Sequence, residues 1–208
     1  MISREKKVIF FHNPKTAGVS VLKFLAKQGF WPADVLNLSK EESIEYGFGI
    51  DSNTSGYRQH CTPSQHLKYK YITIEEYNTF FKFTFIRNPW GRTVSAWMYE
   101  GRKKTFEEHV KYHCSIKLGE HRFHYLPQYP YTIGMDGKLI DFIGRYESFE
   151  EDLYKICDIL KIKKAKIPYV NISRGERKPY QEYYTNELRD AIGEHFEIDI
   201  KLFGYKFE

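Results

Sequence analysis

Residues 8–27 read VIFFHNPKTAGVSVLKFLAK, and this stretch decides the fold class. Val8, Ile9, Phe10 and Phe11 form a continuous apolar run, the pattern of a short strand buried on both faces, as in a parallel sheet. After His12, Asn13 and Pro14 come Lys15, Thr16, Ala17, Gly18, Val19 and Ser20. Val21, Leu22 and Leu25 then recur at helical spacing, which predicts a helix opening near Thr16. Strand, tight turn and helix start gather backbone N–H groups, two hydroxyls and a lysine around one point. A helix N-terminus in such company binds anions, and phosphate is the usual one. The turn is not a Walker loop. GxxxxGK[ST] needs glycines absent here and sets its lysine directly before the hydroxyl at the loop's end, whereas Lys15 stands at the start.

A second strand is expected over residues 80–86, FFKFTFI, apolar nearly throughout and therefore central. It runs into RNPWGRTVSAW, where Asn88 suits an N-cap and Pro89 the first helical position. Arg87 falls at the strand's C-terminal end, and Arg92 and Ser95, three apart, share a helix face. A cation at a strand end with a hydroxyl on the first helical turns makes a second phosphate grip. In open α/β sheets ligands bind outside the carboxyl ends of strands, so both loops are expected to face one cleft.

These two motifs carry a resemblance. PKTAGVS after a buried strand resembles the 5′-phosphosulfate loop of sulfotransferases that use 3′-phosphoadenosine 5′-phosphosulfate (PAPS). FTFIRNPWGRTVSAW resembles the 3′-phosphate motif of the same family, a strand followed by RNPxxRxxSxW. IGRYESFEED is similar to a further sulfotransferase stretch, and KPYQEYYTNEL and DIKLFGYKF are similar to the carbohydrate branch (Golgi-type, sulfotransferase family 2-like). The resemblance implies one α/β domain over residues 1–208, a central, mostly parallel sheet flanked by helices, as in the P-loop-kinase-like sulfotransferase fold. It implies that Lys15, Thr16, Ala17, Gly18, Val19 and Ser20 hold the 5′-phosphosulfate and that Arg87 and Ser95 hold the 3′-phosphate. Arg92 matches the motif and either braces the helix or touches ligand. The implied reaction moves a sulfuryl group from PAPS to an acceptor hydroxyl, on a carbohydrate by the branch resemblance, and leaves 3′-phosphoadenosine 5′-phosphate (PAP).

Such a transfer needs a cation at the oxygen leaving sulfur, the role of Lys15, and a general base for the attacking hydroxyl. HCTPSQH, residues 60–66, resembles a family segment carrying a candidate base histidine, so His60 is the expected base. His66 comes second, and His12 and His124 follow. Each also reads as an ordinary hydrogen-bonded loop histidine. Trp90, Trp97 and Tyr99 either stack on adenine or pack on a helix face. Arg174, Arg177 and Lys178 either close over the 3′-phosphate or form an exposed basic loop. His109 and His113 stand four apart with Cys114, His121 and His124 nearby, but HVKYH lacks the glutamate of HExxH and no CxxC supports it, so no metal is expected. Two rivals stand beside the enzyme: a small-molecule kinase, disfavoured by the missing Walker loop and the want of a convincing magnesium carboxylate, and a non-catalytic nucleotide-binding module.

The rest of the chain fits this frame. At 208 residues it suits one domain with a sizeable core. A net charge of +5, spread along the chain, suits an anionic ligand but lacks the dense basic run of a nucleic-acid binder. Cys61, Cys114 and Cys157 form no CxxC pair and no even disulfide framework. MISREKKVIFFHN enters the first strand without an apolar leader, and no segment approaches a membrane span, so the expected location is cytoplasmic. Lesser expectations are a short strand near residues 35–38, helices capped by Thr73, Thr105, Ser148 and Thr185, a long loop over residues 119–135, a strand over 139–144, and a polar basic loop over 171–177.

Overall fold

A computed structural model of the chain describes residues 1–51, 56–116, 123–170 and 178–208. In chain order the elements are β1 (Ile2–Ser3), β2 (Val8–Phe10), α1 (Gly18–Ala26), α2 (Lys40–Glu45), β3 (Ile50–Asp51), β4 (Gly56–Tyr57), α3 (Pro63–Lys68), α4 (Ile74–Thr79), β5 (Phe81–Ile86), α5 (Pro89–Tyr99), α6 (Phe106–Ser115), β6 (Phe142–Arg145), α7 (Phe149–Leu160), α8 (Asn186–His195) and α9 (Glu197–Phe203). They form two compact units. The first holds residues 1–86 and 130–170; the second holds 87–129 and the described part of 171–208.

The first unit is an α/β sheet structure of strand order β1-β2-β5-β6. β2 and β6 each pair parallel to β5, with Phe10 opposite Phe83 and Phe83 opposite Phe142, while β1 adds an antiparallel edge to β2. Successive side chains of a strand point to opposite faces, so a strand covered on both sides reads as a nearly continuous apolar run. Phe10, Phe83 and Phe85 pack on one face against Val21, Leu22 and Leu25 of α1 and Phe149, Leu153 and Ile156 of α7. Ile9 and Phe11 face the other way, toward Ile72, Tyr77 of α4 and Ile140. β5 is the central strand, as its composition predicts. β3 and β4 pair as a separate two-stranded ribbon.

Helix starts follow their capping chemistry. Thr73 with Glu76 and Thr105 with Glu108 form reciprocal capping boxes at α4 and α6, and the Thr185 hydroxyl accepts from Leu188 N–H at α8. Four expectations need correction. Residues 35–38 hold a turn and a bend rather than a strand, because Asn37 N–H closes back on Asp34 O at 2.9 Å. α1 opens at Gly18, two residues later than the apolar spacing predicts. Ser148 does not cap α7; its hydroxyl donates instead to Asp152 Oδ2 at 2.8 Å. The strand expected at 139–144 is shifted to Phe142–Arg145. The long loop expected over 119–135 lies partly, and the basic loop over 171–177 wholly, outside the described residues.

In the second unit α5 packs against α6 and α8. Trp90 Nε1 donates to Arg189 O at 2.8 Å, and Phe106 meets Tyr184 edge-on at 4.9 Å. α9 follows α8 directly, joined at Phe196. Among the described residues no helix is long and apolar enough to cross a membrane.

Candidate active site

β2 and β5 are adjacent and parallel, so the chain leaves both at the same end of the sheet. Side chains tie these exits together where the ladder ends. Thr84 Oγ1 donates to Phe11 O at 2.6 Å, and Asn13 Nδ2 donates to Phe85 O at 3.0 Å. Between β2 and α1 the backbone turns through two left-handed residues that are not glycine, Lys15 at φ 66° and Ala17 at φ 67°. Each such residue costs about 1–2 kcal/mol, and strain of this kind clusters at ligand-gripping turns. Gly18 is needed for a different reason. A Cβ there would stand 1.9 Å from His12 Nε2, so the buried imidazole occupies the space a side chain would take.

No side chain caps α1, whereas Ser39, Thr62, Thr73 and Thr105 close the first turns of α2, α3, α4 and α6. The first turn of α1 therefore points its N–H groups and its dipole at Lys15 and the loop. The two loop hydroxyls differ. Thr16 Oγ1 donates to Asn13 O at 2.8 Å, so this hydroxyl proton is already engaged within the loop. Ser20 Oγ accepts from Val170 N–H at 3.3 Å and keeps its own proton to donate. Lys15 is half-buried, and Thr16 and Ser20 are buried.

In the second unit Asn88 caps α5, its Oδ1 accepting from Trp90 N–H at 3.1 Å and Gly91 N–H at 3.2 Å, with Pro89 at the first helical position. The Arg87 side chain passes over Gly91, where an added Cβ would lie 3.7 Å from Nε and 3.9 Å from Nη2. Gly91 and Ser95 are four apart and share a helix face, which sets the guanidinium and the Ser95 hydroxyl on one side of α5. Arg92 reaches backbone carbonyls of its own unit. It is fully buried, donating from Nη1 to Leu126 O at 2.8 Å and from Nη2 to Phe123 O at 3.4 Å, so it braces the fold.

The Sulfotransferase family model matches residues 1–206. The chain belongs to the sulfotransferase family. It is also similar to an uncharacterized protein of Archaeoglobus fulgidus, 34% identical over 79 residues, which cover 36% of this chain and 62% of that protein. The match thus spans less than two thirds of that relative's length. No solved structure matches the chain.

In this sulfotransferase-family chain the four candidate base histidines occupy different settings. His66, on the inward side of α3, is 1% exposed and packs between Phe11 and Tyr71 at 5.3 and 5.8 Å. Burial pushes its pKa well below the ordinary value. It is a core residue. His12 is buried as well, stacked on Phe10 at 5.5 Å. His124 lies in the second unit, edge-on to Tyr99 at 5.2 Å. His60 is half-buried, 4.5 Å from the His12 ring, and its Nδ1 lies 3.0 Å from His12 O. A carbonyl only accepts, so Nδ1 carries the proton, and in the neutral tautomer Nε2 is the basic atom. Tyr131 Oη donates to His60 O at 2.9 Å and fixes the backbone there.

Trp90 and Trp97 are packing residues of this family member, committed to Arg189 O and Lys104 O through their indole N–H groups, each at 2.8 Å. Tyr99 is 62% exposed. His109 and His113 sit among rings, His113 at 4.7 Å from Tyr125 and 5.3 Å from Phe196. His121, Arg174 and Arg177 lie outside the described residues. Sequence reasoning missed Asn13, Thr84 and Tyr131, which hold the loops. Only Thr84 left a signal, as a hydroxyl between Phe83 and Phe85 in a mostly apolar strand.

Proposed function

We propose that the chain, acting as one domain over residues 1–208, transfers a sulfuryl group from PAPS to a hydroxyl on a carbohydrate acceptor. One observation carries this reading: two strand-exit loops on adjacent parallel strands, one bearing Lys15 before an uncapped helix, the other bearing Arg87 and Ser95 on one side of α5. Lys15, the backbone of Thr16, Ala17, Gly18 and Val19, and the Ser20 hydroxyl bind the 5′-phosphosulfate. Arg87 and Ser95 bind the 3′-phosphate. The carbohydrate assignment rests on the branch resemblance alone.

The acceptor oxygen attacks sulfur in line with the bond to the 5′-phosphate oxygen. As the new S–O bond forms, its proton passes to His60 Nε2 and the old S–O pair collapses onto the phosphate oxygen, giving PAP. Lys15 meets the charge growing on that oxygen, and the protein's task is alignment and charge stabilisation. Three cysteines in no CxxC pair and no even disulfide framework support a reducing, cytoplasmic setting.

Calorimetry with PAP against ATP tests the nucleotide, and a radiolabelled sulfate-transfer screen over sugars, phenols and lipids tests the reaction. Tight PAP binding with transfer to a sugar is expected. Preference for ATP would point to a kinase, and PAP binding without transfer to any acceptor to a binding module.

A further inference from the structure

Arg87 stands just past the end of β5, and both of its backbone groups turn to one side chain. Arg87 N–H donates to Gln128 Oε1 at 2.9 Å, and Gln128 Nε2 donates to Arg87 O at 2.7 Å. A carboxamide carries a donor and an acceptor side by side, as a peptide group does, so Gln128 serves Arg87 as a neighbouring strand would. Gln128 is itself fully buried and held from behind. Its backbone N–H donates to Asp199 Oδ2 at 2.7 Å, and Tyr129 N–H donates to Asp199 Oδ1 at 2.8 Å. Asp199 is also fully buried. Arg92 grips the same segment two residues earlier, at Leu126 O.

We propose that Gln128, backed by Asp199, is a positioning residue that clamps the Arg87 backbone and so aims its guanidinium across Gly91 at the 3′-phosphate. The proposal rests on the reading of Arg87 as a 3′-phosphate ligand. An arginine bound to a phosphate works through a rigid, directional fork, so loosening its backbone weakens recognition of that phosphate and leaves the rest of the nucleotide untouched.

The readout is the ratio of dissociation constants for adenosine 5′-phosphate and PAP, measured by calorimetry, because the two differ only in the 3′-phosphate. The wild type prefers PAP, and Arg87→Ala loses the preference. Gln128→Met, similar in size but unable to bond Arg87, reduces the preference about tenfold while adenosine 5′-phosphate binds as before. Gln128→Glu is weak at pH 8, where a carboxylate faces Arg87 O. It regains preference relative to the wild type at the same pH as acidification restores a donor. A uniform melting defect would not produce that pH dependence. Wild-type preference in Gln128→Met overturns the clamp and leaves the Arg87 reading standing. No preference in the wild type, or full preference in Arg87→Ala, overturns that reading and the clamp with it. Should Gln128→Met fail to fold, a flat pH profile for Gln128→Glu overturns the clamp.

Discussion

Replacing Gly18 with alanine tests how the first loop is built. The added Cβ would stand 1.9 Å from His12 Nε2 and 2.0 Å from Cδ2, far inside any contact distance. The backbone itself has no objection: Gly18 is the first residue of α1 and lies outside the left-handed region. There alanine is favoured over glycine by at most about 1 kcal/mol. The imidazole must move instead, and it is 6% exposed and stacked on Phe10. Overpacking costs about 1–3 kcal/mol, and a 1.9 Å approach falls in the upper half, about 2–3 kcal/mol. Even after the full alanine gain of about 1 kcal/mol, the net effect is about 1–2 kcal/mol of destabilisation. For a chain of this size that lowers Tm by about 2–8 °C. Because His12 O accepts from His60 Nδ1, turnover should fall further than nucleotide affinity. The decisive assay is a double-mutant cycle by urea unfolding. His12→Ala removes the ring, so Gly18→Ala in that background should cost at least about 1 kcal/mol less. A Gly18→Ala protein as stable as the wild type, or strict additivity in the cycle, would refute the reasoning.

The two arginines of the second loop should separate cleanly. Arg92→Ala removes a fully buried side chain and its bonds to two part-buried carbonyls and is expected to cost about 2–4 kcal/mol in urea unfolding, whereas Arg87→Ala should change stability by less than about 1 kcal/mol and lose PAP affinity. Equal stability losses would contradict this division. His60→Ala should abolish sulfate transfer with PAP affinity nearly intact; unchanged turnover removes His60 from the mechanism. Acid should destabilise the fold through His109, which burial depresses to about 4 although the Glu100 carboxylate stands 3.5 Å from Nδ1. The unfolded chain takes up this proton first, near pH 6.5. Stability is therefore complete above that value and lost between it and pH 4, at about 1.4 kcal/mol per pH unit for one proton. His109→Phe should reduce the pH slope of the urea midpoint over that window by one proton's worth, the remainder coming from His66, His113 and His195, which burial also lowers. An unchanged slope would count against the assignment.

Much of the frame was legible because it follows from local rules. β2 and β5 are covered on both faces, which favours apolar side chains at nearly every position and leaves a clear run, interrupted in β5 by Lys82 and Thr84. Asn88 and Pro89 announce α5 through backbone chemistry confined to one turn. β1 and α9 were not legible, since a two-residue edge strand is defined by its partner's backbone and α9 by what it packs against. The Ser39 and Glu42 capping box of α2 was present in the sequence and went unread. Ser148 had the spacing of a cap, but its hydroxyl went to Asp152, a competition that only folded geometry resolves.

From sequence alone came the order of strand, loop and helix, the two strand-exit loops and the residues that compose them, because hydrophobic period and helix-start chemistry act over a few neighbouring residues. Tertiary structure alone decided which histidine of HCTPSQH is core and which is half-exposed, why Gly18 must lack a side chain, and which side chain holds Arg87. Those answers depend on atoms brought together from 6 to 71 residues away, as Gly18 meets His12 and as Gln128 meets Asp199. Burial and hydrogen-bond partnership at such distances belong to the packed chain and leave no local trace.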